Sequence, residues 1–564
     1  MLAKKELTQQ EKDKLEIDPN FDFREIAKRD FNDISANEIG MFKWSGVYHQ
    51  LQTGYFMMRL RMPGGILTSD QLRKAGSLAK QYAQNQLCIT TRQCLQFHWL
   101  RKEDLYKVIE EMKETGIITT NACGDVVRNV TCCAGMGTCS HELADTRKMM
   151  FKIADDPQLL SIKRNLPRKH KITVAGCNRS CGCMLLNCQS WVPTTIKGKD
   201  GNNKSGWIYY AGGGLGRSPF MAKKIFDFVP ENLVLPITQA GVEIHNRYGD
   251  RRKRIHARLK IIVDKYGCKG YSRLILDLLR QDDIPGLENI VKAKDNKPNI
   301  GLDPFKGKGI LPEKTASLNT VRVRITRSEM SSEEANQFAD FADKYGNGEI
   351  MFTQRQNLQL RGVHDSNIDE LKTLLLQANY RIDGLEHLPD VVSCAGTTVC
   401  NLAVADTPNA YRMILEDLTT DKKLCKLVGP LRINMNGCPN SCTHHWIADI
   451  GLRGLRTRLE SGGSEEGFTI HIGGKLHDAG KIGIPLCDVS TPNLVPALKL
   501  LLNIYIENRM SEKETFSLFC ERYTPAEIKS LMDTKVYIET KEIASIQNQS
   551  LKSVFEKVVT EAHR

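Results

Sequence analysis

The 564-residue sequence contains no apolar run of the ~20 residues that a membrane helix requires. Its longest candidate, Leu494 to Ile506, is broken by Pro496, Lys499 and Asn503. The N-terminus, Met-Leu-Ala-Lys-Lys-Glu-Leu-Thr, mixes acid with base and lacks the apolar core of an export signal. A cytoplasmic protein with no membrane partner is expected. There is no GxGxxG fingerprint, and no Lys-Ser or Lys-Thr follows the glycine clusters, so the usual dinucleotide and phosphate loops are missing. No flavin- or nicotinamide-binding signature is evident. The basic run Arg251-Arg252-Lys253-Arg254 comes without a zinc-finger, RRM or KH pattern. Such a run is ordinarily a solvated face, so nucleic acid is not an expected partner. Apolar residues at 41% and charged residues at 26% exclude disorder, a collagen repeat and a coiled coil.

What the chain does have is length, positive charge and cysteine. At roughly 150 residues per domain it is long enough for about three or four domains. Its 79 Lys and Arg outnumber 66 Asp and Glu by 13, a balance that suits a polyanionic partner, an acidic protein or a carboxylate-rich cofactor. Eighteen cysteines in a reducing compartment point to metal or redox chemistry, not to a disulfide framework.

The sequence repeats itself. An ungapped segment from Arg61 to Phe97 matches Arg324 to Leu360 at a constant offset of 263, with Arg92 falling on Arg355 and Gln96 on Gln359. Each copy reads strand, helix, strand, with helices expected over 70–84 and 332–344. Cys133, Cys139, Cys177 and Cys181 match Cys394, Cys400, Cys438 and Cys442 at an offset of 261. The chain is therefore a tandem duplication of two α+β halves, joined by the Gly- and Pro-rich stretch 292–312. Glycine clusters at 212–216 and 473–474 suit strand ends where backbone approaches a ligand closely.

Each half carries Cys-x5-Cys, a gap of 37 residues, then Cys-x3-Cys. Four thiolates from two loops can hold one zinc or one iron–sulfur cluster. The x5 spacing is wide for a zinc knuckle and better suited to a cubane, and the ferredoxin spacing is absent.

The residues around these cysteines carry a resemblance. Asn436-Gly437-Cys438-Pro439-Asn440-Ser441-Cys442, followed by Ala448-Asp449-Ile450-Gly451-Leu452, resembles the signature of the sirohaem-dependent sulfite and nitrite reductases, and Cys394-Ala395-Gly396-Thr397-Thr398-Val399-Cys400 resembles its upstream half. The resemblance spans about residues 45 to 530 and includes the duplication. It implies that Cys394, Cys400, Cys438 and Cys442 hold a 4Fe–4S cluster, with Cys442 also bridging to the sirohaem iron. It implies Arg59, Arg128, Lys169 and Lys171 as the cations that bind substrate and supply protons. It implies Thr90, Arg92, Gln96 and Arg168 as contacts to the macrocycle's carboxylates. Read on its own residues, Lys169-x-Lys171 on a strand puts both ammonium groups on one face, as a shared anion demands.

The resemblance also fixes the expected architecture. This is an α+β fold in which each half is a ferredoxin-like half-domain plus an α/β cofactor-binding domain, related by a pseudo-twofold axis. The expected boundaries are an N-terminal extension (1–45), a ferredoxin-like half-domain (46–115), a sirohaem and iron–sulfur domain (116–290), a linker (291–317), the second pair (318–380 and 381–530) and a C-terminal helical tail (531–564). By the same offsets Arg59 maps to Arg322, Arg128 to Pro389, Lys169 to Pro430 and Lys171 to Arg432. The second half thus lacks most of the cation pocket, and the working site must combine N-terminal cations with the C-terminal cluster.

Two features depart from the single-chain assimilatory members of the family. The N-terminal quartet Cys133, Cys139, Cys177 and Cys181 is complete, so a second 4Fe–4S cluster is expected. Lys171 stands where nitrite-specialised members carry Asn, which favours sulfite. The expected function is six-electron reduction of sulfite to sulfide, with ferredoxin-dependent reduction of nitrite to ammonia as the alternative. The expected electron donor is an acidic protein such as ferredoxin or flavodoxin. An RNA-binding metalloprotein and a non-catalytic haem-storage protein are the competing classes, disfavoured by the missing RNA motifs and by the four-cation pocket.

Overall fold

The computed structural model describes residues 6–162, 166–198, 201–458 and 463–535. Most of the expected C-terminal tail, from residue 536, lies outside the described residues.

The repeated strand–helix–strand segments form two five-stranded sheets that exchange an edge. One contains, in order, Val47–His49, Tyr55–Arg59, Leu95–Arg101 and Leu87–Ile89, and is completed by Glu329–Met330 from the second repeat. The other contains Ile310–Pro312, Leu318–Val323, Leu358–His364 and Glu349–Phe352, and is completed by Ile66–Thr68 from the first. The register is reciprocal: Met330 opposes Leu87, and Leu67 opposes Ile350.

The helices behind these sheets follow from local chemistry. Thr68 and Gln71 form a capping box at the start of Ser69–Tyr82, and Ser331 and Glu334 form the equivalent one at Ser332–Tyr345. Both helices agree with the sequence expectation to within two residues at each end. They pack on one another closely enough that a Cβ added to Gly76 would meet the Ala335 Cβ at 3.0 Å. Arg73 crosses the same seam to Asp340 and Asp343 at 2.7 and 2.6 Å. One apolar core runs through both half-domains, from Phe56 and Leu72 to Phe338 and Leu360. Neither half-domain has a core of its own.

Residues 6–45 contribute three short helices, Gln9–Glu16, Phe23–Lys28 and Ala36–Met41. Phe23, Ile26 and Ile34 bury against the same core.

The two cysteine domains share a five-strand pattern, to which the first adds a sixth edge strand. The first orders Thr131–Cys132, Ile172–Val174, Gln189–Lys197, Asn203–Ala211, Lys223–Val229 and Val291–Lys292. The second orders Val392–Ser393, Ile433–Asn436, Ile450–Arg458, Ser464–Ile472 and Ile484–Ser490. In both, the first three strands are parallel and the next two antiparallel. The first cysteine of each quartet therefore lies just past the end of a strand.

The stretch expected as a linker is built into the structure. Val291–Lys292 adds an edge to one sheet and Ile310–Pro312 adds an edge to another. The glycine clusters do sit at strand ends, but the backbone that approaches is the chain's own. A Cβ on Gly213 would lie 2.4 Å from the Leu185 carbonyl, and one on Gly474 would lie 2.6 Å from that of Trp446. Among the described residues no helix is long and apolar enough to cross a membrane.

Two buried glutamines tie these layers together. Gln93 donates to the carbonyls of Gly64 and Phe352 (3.0 and 2.9 Å) and accepts from the Cys132 amide at 2.9 Å. Gln356 donates to the Ile89 carbonyl at 2.9 Å and accepts from the Ser393 amide at 3.1 Å. Each side chain joins its own repeat to the other repeat's strand and to the residue before a quartet's first cysteine. Gln93→Ala removes three hydrogen bonds to buried backbone groups and should cost about 2–4 kcal/mol. The expected readout is a fall of several degrees in the thermal unfolding midpoint, and an unchanged midpoint would refute the clamp.

Candidate functional site

Arg59 ends the strand Tyr55–Arg59, and its Nη2 donates to Gln96 Oε1 at 3.2 Å on the neighbouring strand. Thr90, Thr91 and Arg92 lie in the turn between Leu87–Ile89 and Leu95–Arg101. The Thr90 hydroxyl accepts from the amides of Arg92 and Cys94 (3.3 and 3.2 Å), which shapes the turn. Arg92 donates to Asn187 Oδ1 at 2.7 Å and also to the Asn129 carbonyl.

Lys169, His170 and Lys171 form the extended lead-in to Ile172–Val174. His170 is fully buried and both lysines are half-buried, so the alternation expected from the sequence holds. His170 is pinned by His245 at 3.0 Å and by Gln189 at 2.9 Å, which fixes the lysines on the opposite face.

The pocket is electropositive. Burial, then Arg168 and Arg128, hold Lys169 well below the ordinary lysine range. Burial, then Arg92 and Lys169 itself, do the same to Lys171. The one opposing influence among the leading ones on either lysine is Cys442 of the second half. Cys442 also lies within the electrostatic reach of Arg59. Thr91 closes the junction, its hydroxyl donating to the Cys442 carbonyl at 2.7 Å. Gln52 and Leu51 reach the other cysteine loop, donating to the carbonyls of Thr398 and Val399 at 2.8 and 3.0 Å. Arg59, Arg92, Lys169 and Lys171 of one half are thus gathered beside Cys442 of the other.

Two expected residues are more committed than the sequence foretold. Arg128 gives two of its donors to the carbonyls of Gly124 and Ala122. Arg168 is bound to Asp125 at 3.0 Å. Asp125 is buried and also takes Arg254 at 3.0 Å and Lys14 at 3.5 Å, and these cations hold its carboxyl well below the usual range against the effect of burial. The basic run 251–254 is therefore drawn inward, with Arg251 on Glu11 at 2.6 Å and Arg254 on Asp125. It does not present a continuous free basic face.

Sequence reasoning missed Thr91, Asn187, His444 and Arg258, the last of which adds to the positive field on both lysines. Burial, with Lys171 and Arg92 beside it, pushes the His444 imidazole down to about 3, so it is neutral at pH 7. Only Thr91, adjacent to a chosen residue, had any signal.

Each cysteine quartet converges. Cys394, Cys400 and Cys438 all feel the charge of Cys442, and burial pushes the Cys394 thiol up to about 11. Cys133, Cys139, Cys177 and Cys181 line one cavity, where burial pushes Cys133 up to about 12. Among the described residues no three His, Cys, Asp or Glu side chains are placed to hold a single metal ion. Four convergent thiols can hold a polynuclear cluster, whose binding would release their protons. The Nε atoms of Arg59 and Arg92 are buried without an acceptor among the described residues. Buried guanidinium donors lacking acceptors fit a carboxylate-rich ligand.

The sequence model described as the nitrite and sulphite reductase 4Fe-4S domain matches residues 123–281 and again 386–539. The nitrite/sulfite reductase ferredoxin-like half domain matches 48–115 and 311–378. The chain is 30% identical over 475 residues to the assimilatory ferredoxin-dependent nitrite reductase of Haloferax mediterranei, covering 80% of each. It is 26% identical over 528 residues to the sulfite reductase (ferredoxin) 1 of Mycolicibacterium paratuberculosis, covering 89% of this chain and 92% of that one. The solved structure of the Mycobacterium tuberculosis NirA protein superposes with a TM-score of 0.82 at 26% identity, covering 93% and 97% of the two chains.

Proposed function

The chain belongs to the nitrite and sulfite reductase family, and from that premise we propose that it reduces sulfite to sulfide in six electrons. The observation that carries this reading is the meeting of Arg59, Arg92, Lys169 and Lys171 with Cys442 across the two halves. Nitrite is the second reading, favoured by the likeness to the Haloferax nitrite reductase.

On this reading Cys394, Cys400, Cys438 and Cys442 hold a 4Fe–4S cluster, and Thr90, Arg92, Gln96 and Arg168 hold the carboxylates of a sirohaem. When bound, the sirohaem iron supplies the site for the substrate's central atom, and the cluster supplies electrons singly. The protein's own residues supply charge and protons. Arg59 keeps its charge whatever the pH and so binds anion without giving up a proton. Lys169 and Lys171, whose hold on protons is weakened by burial and by neighbouring cations, can pass protons to departing oxygens and be refilled from water. Fixed positive charge where negative charge builds favours the transition state over the bound anion.

Lys171→Asn separates the two substrates. Sulfite loses three oxygens and nitrite two, so losing a cation and proton donor should depress sulfite turnover about tenfold or more beyond its effect on nitrite. Equal losses would leave Lys171 as a general anion ligand. Cys442→Ser tests the assignment itself. The anaerobically purified variant should lose coupled haem–cluster signals and turnover, and full activity with an unchanged visible spectrum would overturn it.

The donor on this reading is a small acidic protein, drawn by the net charge of +13. Exposed charges are screened beyond about 8 Å at physiological salt. Rates with ferredoxin should therefore fall as salt rises, whereas rates with a small uncharged reductant should not. A salt-independent rate with ferredoxin would argue against this docking.

A further inference from the structure

The pseudo-twofold axis that builds one site also builds a second position, and there the structure is different. Arg322 and Gln359, the counterparts of Arg59 and Gln96, line the cavity of the N-terminal quartet. Both side-chain polar atoms of Gln359 are buried without a partner among the described residues.

The amide cage around the sulfurs is duplicated along with the cysteines. The Gly176 amide donates to Cys133 Sγ at 3.2 Å, and Gly437 donates to Cys394 Sγ at 3.2 Å. The His141 amide donates to Cys139 as the Leu402 amide does to Cys400. The Arg179 amide donates to the Cys177 carbonyl at 2.9 Å and also approaches its sulfur, as the Asn440 amide approaches that of Cys438. Each of these pairs keeps the offset of 261. N–H···S hydrogen bonds disperse the excess negative charge of a thiolate-bound cluster and tune it. A set of relic thiols has no physical need of them.

What the second position lacks is room and charge for a macrocycle. The chain from 301 to 309 runs through it. Gly301 exchanges backbone hydrogen bonds with Asn178 and Ser180, inside the Cys177–Cys181 loop, at 2.9 Å each. Asp303, Pro304 and Phe305 close the quartet's cavity. Gly307 donates to Glu386 at 2.8 Å, and Lys306 reaches the carbonyl of Pro430, the counterpart of Lys169. The remaining cations are neutralised: Arg322 by Glu386 at 2.5 Å, Arg355 by Asp390 at 2.9 Å and Arg432 by Asp449 at 3.6 Å.

We propose that Cys133, Cys139, Cys177 and Cys181 hold a second 4Fe–4S cluster that carries no sirohaem, the macrocycle's place being taken by residues 301–309. The proposal concerns a different quartet from the proposed catalytic one and stands or falls separately from it.

The test is metal analysis of the full chain, reconstituted anaerobically with ferrous iron and sulfide, with sirohaem measured separately from its visible absorption. Two clusters and one sirohaem give about nine irons per chain, and one cluster and one sirohaem give about five. The double variant Cys177→Ser, Cys181→Ser should lose about four irons and about four acid-labile sulfides while keeping its sirohaem absorption. Independently of any variant, the reduced wild-type protein should show a stoichiometric electron paramagnetic resonance signal from an isolated cluster, distinct from the haem-coupled one. About five irons alongside a full sirohaem band would overturn the second cluster. Two equivalents of sirohaem would overturn its haem-free character. Eight irons with no sirohaem, halved in the variant, would support this proposal while removing the reading of the catalytic site.

Discussion

Everything in this molecule depends on the exchange of one edge strand between the two repeats. Each ferredoxin-like sheet lacks its last strand until the other repeat supplies it, so neither half can bury its core alone. An unpaired sheet edge is a row of unmet backbone donors and acceptors, and the duplication meets both rows at once. Gln93 and Gln356 then carry that constraint outward, each bonded to the other repeat's strand and to the residue before a cysteine. Both glutamines sit at positive φ, a conformation that side chains rarely adopt. The buried hydrogen bonds hold them there. The result is that the turn bearing Thr91 and Arg92 is set against the opposite half's Cys442 by the core itself, not by surface contacts.

Duplication followed by loss explains the charge distribution. In the first half Asp125 is the buried acid and is surrounded by Lys14, Arg168 and Arg254, which leaves the zone around Lys169 and Lys171 strongly positive. In the second half Glu386 and Asp390 meet Arg322 and Arg355 nearly one for one, and Pro430 replaces a lysine. A buried charge must find a partner or give up its charge. The second pocket finds its partners within the protein and closes. Around Lys169 and Lys171 the first has only Cys442 as an opposing group among the leading influences.

Much of this was legible in the sequence because duplication can be read from offsets. The helices Ser69–Tyr82 and Ser332–Tyr345 and the one-sided Lys169 and Lys171 follow from period and spacing. The strand exchange was not legible, because Ile66–Thr68 reads as an edge strand whichever sheet it joins. Nor was the path of 301–309. Glycine and proline mark it as irregular backbone but do not say that it fills a pocket. Asn187 and Arg258 escaped notice because their roles come from tertiary approach, Asn187 receiving Arg92 at 2.7 Å from 95 residues away. Arg168 was placed in the site by resemblance, and the structure gives its guanidinium first to Asp125.

The gathering of cations around Lys169 and Lys171 has an energetic consequence. Two half-buried lysines and the buried guanidinium atoms of Arg59 and Arg92 face one another with Cys442 as the only opposing group among the leading influences on the lysines. Like charges brought together out of water repel, and the lysines respond by holding their protons less firmly. The same repulsion, on the proposed reading, makes the lysines able to give protons and favours carboxylates and oxyanions beside them. On the proposed reading, a carboxylate-rich cofactor relieves this repulsion when it binds, so cofactor affinity and chain stability are linked quantities. On that reading Lys169 and Lys171 gain a counter-charge on binding, whereas Arg322 and Arg355, already paired with Glu386 and Asp390, do not.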